Sequence, residues 1–499
     1  MRKLNALLTM FFSLVFVSTA RAQVNNAQLK GDYAFSFNGM TTGGGSASTP
    51  FAAVGRFTAD GAGNLTNGEL DSNGVGVSLA GVEKAVALAF TGSYSIGADH
   101  RGVMNLNIPG GGILAFAMMA NGNAKFVEVD ASGGHGTVGS GSIEKVDTTT
   151  FNTARITGDY AFGAAGLDQS NNRTAIAGRF TANGAGVLSN GAADENMSGR
   201  FTTLNLFSGT YMVTDTSTGR GVMNLPPLVG GALQSLDFVF YVVNGGKLFA
   251  MESDAVSPLT PLLSGTVLQQ QTPVGGFSSS ALNGNTVMYL TGRTICPGGA
   301  NAAPNVIAGL LSTNGIGVAN LTYDQNCGGG SSSVTGLSGT YNISGNGRSV
   351  FQLGGAYVAA YLVRANEAFF IVPDSSVLFG FGEAQTAGAV TNSAVAGSYA
   401  GLATTAAALG VTIFSGEFTA DGASPTGNLS GTEDIGAPSG PSLGVAANAT
   451  YSISSTPTNG RGSITGTIGG SGVIYVVSAS KFVVVSLSDS NPAVLIFEQ

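Results

Sequence analysis

The chain predicts an all-β protein, built as four tandem copies of one antiparallel, eight-stranded up-and-down β-barrel. Three observations carry this. A set of sequence blocks recurs four times at a domain-sized period. Asp-Gly or Asn-Gly, the pairs that a tight hairpin turn demands, stand at the same place in every copy. Composition is apolar but poor in charge: 43% hydrophobic, 10% charged, with 77 glycines among 499 residues. That suits short strands joined by tight turns and is unlike a disordered chain.

Each unit opens with a strand, as in Leu29-Lys30-Gly31-Asp32-Tyr33-Ala34-Phe35 and Ile156-Thr157-Gly158-Asp159-Tyr160-Ala161-Phe162. Leu282–Met288 and Val395–Ala400 are weaker versions. Tyr33, Phe35 and Phe37 alternate with Ala34 and Ser36, so one face is aromatic and faces a core. A hairpin follows, marked by Asp60-Gly61, Asn183-Gly184, Asn314-Gly315 and Asp421-Gly422. A second hairpin runs from a Tyr to an Arg: Tyr94 to Arg101, Tyr211 to Arg220, Tyr341 to Arg348 and Tyr451 to Arg461. Those tyrosines recur at intervals of 117, 130 and 110 residues, the size of a whole domain. Two apolar strands and a polar closing strand complete each copy. The expected units are 27–147, 154–270, 276–386 and 393–499.

Eight strands in hairpin sequence form a meander, and closing it removes both exposed edges. A two-sheet β-sandwich of the same strands is the alternative. One continuous membrane barrel is disfavoured by the domain-length repeat and by the absence of Trp. The sixth strand of copy two, Phe238 to Val243, is apolar on both faces. Its outer face is expected to pack on another copy or a partner.

Residues 1–22 have the form of a secretory signal peptide. Arg2 and Lys3 precede an apolar Leu7–Val17 run, and Ala20-Arg21-Ala22 offers a cleavage site. Export to the periplasm, the cell surface or the extracellular space is expected. No later stretch is long and apolar enough for a transmembrane helix. The net charge of −8 argues against nucleic acid. In an exported chain the only two cysteines, Cys296 and Cys327, favour a disulfide. A meander brings both to one end of the third barrel.

Strand number and order resemble the calycin-like lipocalin and avidin architecture, although Gly31-Asp32-Tyr33 has Tyr where the lipocalin signature has Trp. The Gly-x-Tyr, Thr-Ala-Asp-Gly-x-Gly and Gly-Arg-Gly blocks resemble those of uncharacterised exported repeat proteins of environmental bacteria. That resemblance implies no activity.

Chemical motifs are sparse. His100 and His135 have no counterparts in other copies, and no zinc ligand set or cofactor motif is assembled. Gly440-Pro441-Ser442-Leu443-Gly444 matches a nucleophile elbow, but in a Pro/Gly loop and with no His in its copy. Asp60, Asp71, Asp421 and Asp434 miss calcium-loop spacing and read as turn residues. Asp194-Glu195 and Glu433-Asp434 are adjacent on strands, so their side chains face opposite ways.

The Tyr/Arg pairs are the clearest recurrence: Tyr94 with Arg101, Tyr211 with Arg220, Tyr341 with Arg348, Tyr451 with Arg461. A ligand contact at the barrel mouth is one reading. The favoured one is structural, with Arg capping its own barrel end and stacking on the upstream Tyr. A shared fold needs the pair in every copy; a shared function does not. The expected function is a non-enzymatic exported repeat protein with a structural, surface or adhesive role, its partner a surface or polysaccharide component. A carrier of small apolar ligands inside the barrels is the alternative, and a secreted hydrolase a weaker one.

Overall fold

A computed structural model describes residues 25–41, 49–75, 84–109, 111–129, 137–226, 233–386, 390–404, 412–454 and 458–499. The 1–22 segment and His135 lie outside the described residues.

The first unit runs β1 (Lys30–Thr41), β2 (Pro50–Asp60), β3 (Asn64–Gly74), β4 (Ala85–Ile96), β5 (Arg101–Asn107), β6 (Ile113–Met118), β7 (Ala124–Glu128) and β8 (Thr137–Lys145). Each strand pairs antiparallel with the next. β8 returns to β1 in the register Tyr33↔Lys145 to Thr41↔Thr137, which closes the barrel. The same order closes three more barrels: β9 (Thr157–Leu167) to β16 (Leu262–Gln269), β17 (Asn283–Ile295) to β24 (Phe379–Ala384), and β25 (Gly397–Thr404) to β32 (Val494–Glu498). The chain is therefore four closed eight-stranded antiparallel barrels, and the sandwich alternative is excluded. Among the described residues the only helices are short 3-10 turns, one of which leads into the first strand of each barrel.

The barrels are filled. Tyr33, Phe35, Phe37, Phe57 and Phe126 pack inside the first, with Tyr33 stacked on Phe57 at 5.6 Å between ring centres. Side chains this large fit because glycines face them. A Cβ on Gly102 would lie 2.4 Å from the Phe116 ring, and one on Gly221 2.2 Å from Phe240. This explains the Gly after the recurring Arg in the first two copies; the third has Ser349 there, opposite Ala360. The upstream tyrosines plug the barrel base. Tyr94 Oη donates to Leu29 O at 2.6 Å, Tyr211 Oη to Ile156 O at 2.5 Å and Tyr341 Oη to Leu282 O at 2.7 Å. Tyr451 Oη instead accepts from Gly422 N at 2.9 Å.

At the turns, Asp60 Oδ1 accepts from the N–H groups of Ala62, Gly63 and Asn64. Gly61 and Gly422 have φ of +80° and +67°, in the left-handed region that glycine adopts without strain. Cys296, just after β17, and Cys327, which ends strand three of its barrel, form a disulfide with Cα atoms 5.5 Å apart.

Glu252, in strand seven of barrel two, is fully buried, and its Oε2 has no hydrogen-bond partner. Burial pushes its carboxyl up to about 9, from an ordinary 4.5. The folded state then holds one more proton than the unfolded chain between these values, so stability falls as pH rises from about 5 to 9. Replacing it by Gln (Glu252→Gln) removes this dependence. Urea unfolding is expected to show a gain of roughly 1–3 kcal/mol at pH 8 and none below pH 4.5.

Candidate functional site

Two sets of residues outside the lumens concentrate the polar chemistry: the seams between barrels, and a basin where all four barrels meet.

In the three seams between consecutive barrels, strands one and two present mostly small residues on their outer faces, and strands six and seven present bulky ones. In the first seam, Ala34, Ala52 and Val54 of barrel one receive Val239, Tyr241, Val243 and Phe249 of barrel two. This is where the outer face of the doubly apolar sixth strand goes. Barrel two offers Ala161, Ala175 and Ala177 to Tyr361, Val363 and Phe369 of barrel three. Barrel three offers Val287, Val306 and Ala308 to Val473, Tyr475 and Val483 of barrel four. Barrel four in turn packs Ala400 against Ala117 and Met119 of barrel one. The order closes on itself, so the four barrels form a head-to-tail ring.

The recurring arginines lock these seams. The expected stacking of each Arg on its upstream Tyr and the capping of its own barrel end do not describe their contacts. Each opens strand five and reaches an aspartate on strand three of the preceding barrel. Arg220 holds Asp71 by two bonds of 2.8 Å. Arg348 holds Asp194 at 2.7 and 2.8 Å, and Arg461 holds Asp324 by two bonds of 2.8 Å. A different tyrosine, the cross-strand partner of the Arg, completes each clasp: Tyr241 to Asp71 at 2.8 Å, Tyr361 to Asp194 at 2.9 Å and Tyr475 to Asp324 at 2.6 Å. Burial would raise the Asp324 carboxyl, but bonds from Arg461, Ser333 and Tyr475 hold it below the ordinary range. Two residues further on, Asn73, Asn196 and Asn326 donate to two backbone carbonyls each of the next barrel, the contact with Glu252 O measuring 2.9 Å.

The fourth seam is built differently. Arg101 gives one bond of 2.7 Å to Asp434 and turns its Nε to its own Asp99. The Tyr position is Ala117, and the Asn position is Gly436, where a Cβ would lie 2.7 Å from Glu128 O. Asp71 and Asp434, read from sequence as turn residues, are thus buried strand residues that hold neighbours.

On the ring axis lies a basin of about 900 Å³ lined by every barrel. Its charges are paired. Lys247 meets Glu144 at 2.7 Å, Lys125 meets Glu498 at 2.6 Å, and Lys481 bridges Glu498 at 2.6 Å and Glu383 at 2.5 Å. Arg364 meets Glu367 at 2.5 Å. Burial alone would raise Glu498, yet Lys125 and Lys481 hold it well below the carboxylate range. Burial likewise opposes the charge on Lys481, which Glu498, Tyr289 and Glu383 keep protonated well above the ordinary lysine range. Tyr289, Phe369 and Phe381 add aromatic surface, and Asn121, Asn123, Asn244 and Gln271 add amides.

The remaining sequence candidates do not converge. Ser442 begins an exposed strand of barrel four, and His100 is an exposed turn residue bonded to Gln28. Among the described residues no group of three or more His, Cys, Asp or Glu is placed to hold a metal. Sequence reasoning missed the Asp-x-Asn pattern of strand three, present as Asp71-Ser72-Asn73, Asp194-Glu195-Asn196 and Asp324-Gln325-Asn326. Its recurrence was the available signal.

No protein-family model matches the chain, and no curated protein matches it. Among solved structures, it is similar to a protein of unknown function of the DUF3598 family from Nostoc punctiforme. Identity is 10%, coverage is 48% of this chain and 95% of that one, and the TM-score is 0.14. It is also similar to isotype 1 transferrin binding protein B from serogroup B Neisseria meningitidis, at 10% identity, 77% and 84% coverage and a TM-score of 0.17. Scores this low carry no argument about function.

Removing one clasp carboxylate, Asp194→Ala, leaves the partly buried Arg348 guanidinium and the buried Tyr361 hydroxyl without their acceptor. Docking of barrels two and three is expected to weaken by about 3–5 kcal/mol. Guanidinium unfolding followed by two probes then separates into distinct steps. The double change Asp194→Leu with Arg348→Met costs far less. A single variant with the wild-type midpoint and slope contradicts this account.

Proposed function

We propose that the protein is an exported, non-enzymatic binding scaffold that takes a polar saccharide-type ligand in the axial basin. The observation that carries this reading is the polar, four-barrel lining of the axial basin; a hollow of similar size, about 930 Å³, lies on barrel two alone, against apolar side chains such as Met212 and Val222. Cavities inside barrels two and one measure about 20 and 30 Å³, no more than one water's share of liquid volume. A carrier of apolar ligands needs a lumen of several hundred Å³, so these two packed lumens count against that alternative. The axial basin, at about 900 Å³, is at least some thirty times larger than each of them.

The basin's chemistry favours an uncharged polar ligand. Lys125, Lys247, Lys481 and Arg364 balance Glu144, Glu367, Glu383 and Glu498, and each of these charges is engaged in an ion pair. Amides and hydroxyls offer donors and acceptors, and aromatic faces suit the apolar faces of sugar rings. Export is supported by the disulfide, which persists in oxidising compartments. A non-catalytic role is supported by ion-paired basin carboxylates, none of them left as an isolated acid or base.

The test is binding of the mature protein to cell-wall and polysaccharide fractions, compared with Ser480→Trp and Gln271→Trp. Both positions are exposed on the basin wall. Either indole is expected to weaken binding about tenfold or more without moving the unfolding midpoint. Absence of binding to every fraction, or equal binding by the variants, defeats the proposal.

A further inference from the structure

Among the described residues, the seam between barrels two and three holds a feature the other seams lack. Arg173 opens strand two of barrel two and is buried, 7% exposed. Its Nη2 donates to Thr291 of barrel three, at 3.3 Å to Oγ1 and 3.5 Å to the carbonyl. Two residues along β17, on the same strand face, stands Arg293. Arg173 Nε and Arg293 Nε and Nη1 are buried and have no hydrogen-bond partner. Among the described residues neither guanidinium has an ion-pair partner. The carboxylates of the flanking loops are engaged locally, Asp168 by Ser170 and Asn172, and Asp374 by Ser376. Outside the described residues the only carboxylates are Glu83 and Asp130, both belonging to the first repeat.

Two like charges brought together in a largely buried seam are costly unless an anion joins them. Burial, and for Arg173 the neighbouring Arg293 charge, lower both guanidinium pKa values. A structural tie is expected in every copy, as with the clasps. Here the registers place Pro50 and Pro304 at the Arg173 position, and Met40 and Leu167 at the Arg293 position. Among the described residues the pair is confined to one seam, near the end of β17 away from the hairpin Arg364–Glu367 that lines the axial basin. Arg293 is only half-buried, which leaves a route from solvent.

We propose that Arg173 and Arg293, with the Thr291 hydroxyl, form a binding site for a small tetrahedral oxyanion of the phosphate or sulfate class. Two planar guanidiniums present N–H forks that match such an ion's oxygens, which a single lysine does not. Binding neutralises the seam and ties barrel two to barrel three, so occupancy stabilises the ring. The site is separate from the axial basin and stands or falls independently of the saccharide reading.

The experiment is thermal unfolding and titration calorimetry of the full mature chain. Sodium phosphate, sulfate, acetate and chloride are compared at equal ionic strength, on wild type, Arg293→Met and Arg293→Lys. Phosphate or sulfate is expected to raise the wild-type midpoint saturably by about 2–4 °C, with chloride and acetate inert. Arg293→Met abolishes that increment, yet unfolds no earlier than wild type in oxyanion-free buffer, because it relieves an unpaired charge. Arg293→Lys keeps part of the response. Three outcomes overturn the site: no oxyanion-specific shift in wild type, the same shift in Arg293→Met, or a response to acetate equal to that to phosphate. Arg293 is on the more open side of the seam, so its variants fold even if Arg173→Met does not.

Discussion

The Arg–Asp–Tyr clasp is the interaction on which the assembly depends. Closed barrels have no free sheet edge, so they cannot join by extending a β-sheet. They must join face to face, and alanine-rich faces against bulky ones specify little by themselves. A bidentate Arg–carboxylate pair fixes angle and distance. In three seams the carboxylate also accepts a tyrosine hydroxyl, as Asp194 does from Tyr361. Because each barrel gives an Arg backward and an Asp forward, the contact is heterologous, and it ends only where the rotation closes. Four copies suffice here, since Arg101 of the first barrel reaches Asp434 of the last.

The closing seam shows what covalent linkage supplies elsewhere. The other three seams join consecutive barrels, and the linkers themselves are bonded down: Asp147 N to Val243 O, Gln271 N to Val363 O and Thr386 N to Val477 O. A short linker holds partners at high effective concentration. The last seam has none, and it also lacks the Tyr and Asn of the others. It compensates near the axis, where Lys125 of barrel one meets Glu498 of barrel four, and where Ser415 donates to Lys125 O at 2.9 Å. Closure of the ring and the charge lining of the basin are therefore one arrangement.

Packing inside the barrels and space between them follow from the same residues. Aromatic side chains alternate inward and fill each lumen, while small outward residues let neighbours approach. Rods of roughly circular section set in a ring leave a gap at the centre, and here polar strand ends and hairpins line it. The proposed binding site therefore lies on a surface that exists only in the assembly, not in a lumen, where a lipocalin-like architecture would place it.

Strand count, hairpin turns, closure and the Cys296–Cys327 pairing were legible in the sequence, because each rests on local patterning: alternation along a strand, Asn-Gly at a turn, a repeated block. The recurring Arg was legible as a residue every copy keeps, but its partner was not. Tyr94, Tyr211, Tyr341 and Tyr451 are its neighbours in sequence, yet Tyr241, Tyr361 and Tyr475 share its aspartate, each coming from the adjacent strand. Asp71 and Arg220 are far apart in the chain and in different barrels, and no periodicity within one repeat pairs them. The ring, its basin and the two facing arginines at positions 173 and 293 were decided by tertiary structure alone. They arise from how folded barrels dock, a matter of shape and long-range charge that a single linear repeat does not encode in its own pattern.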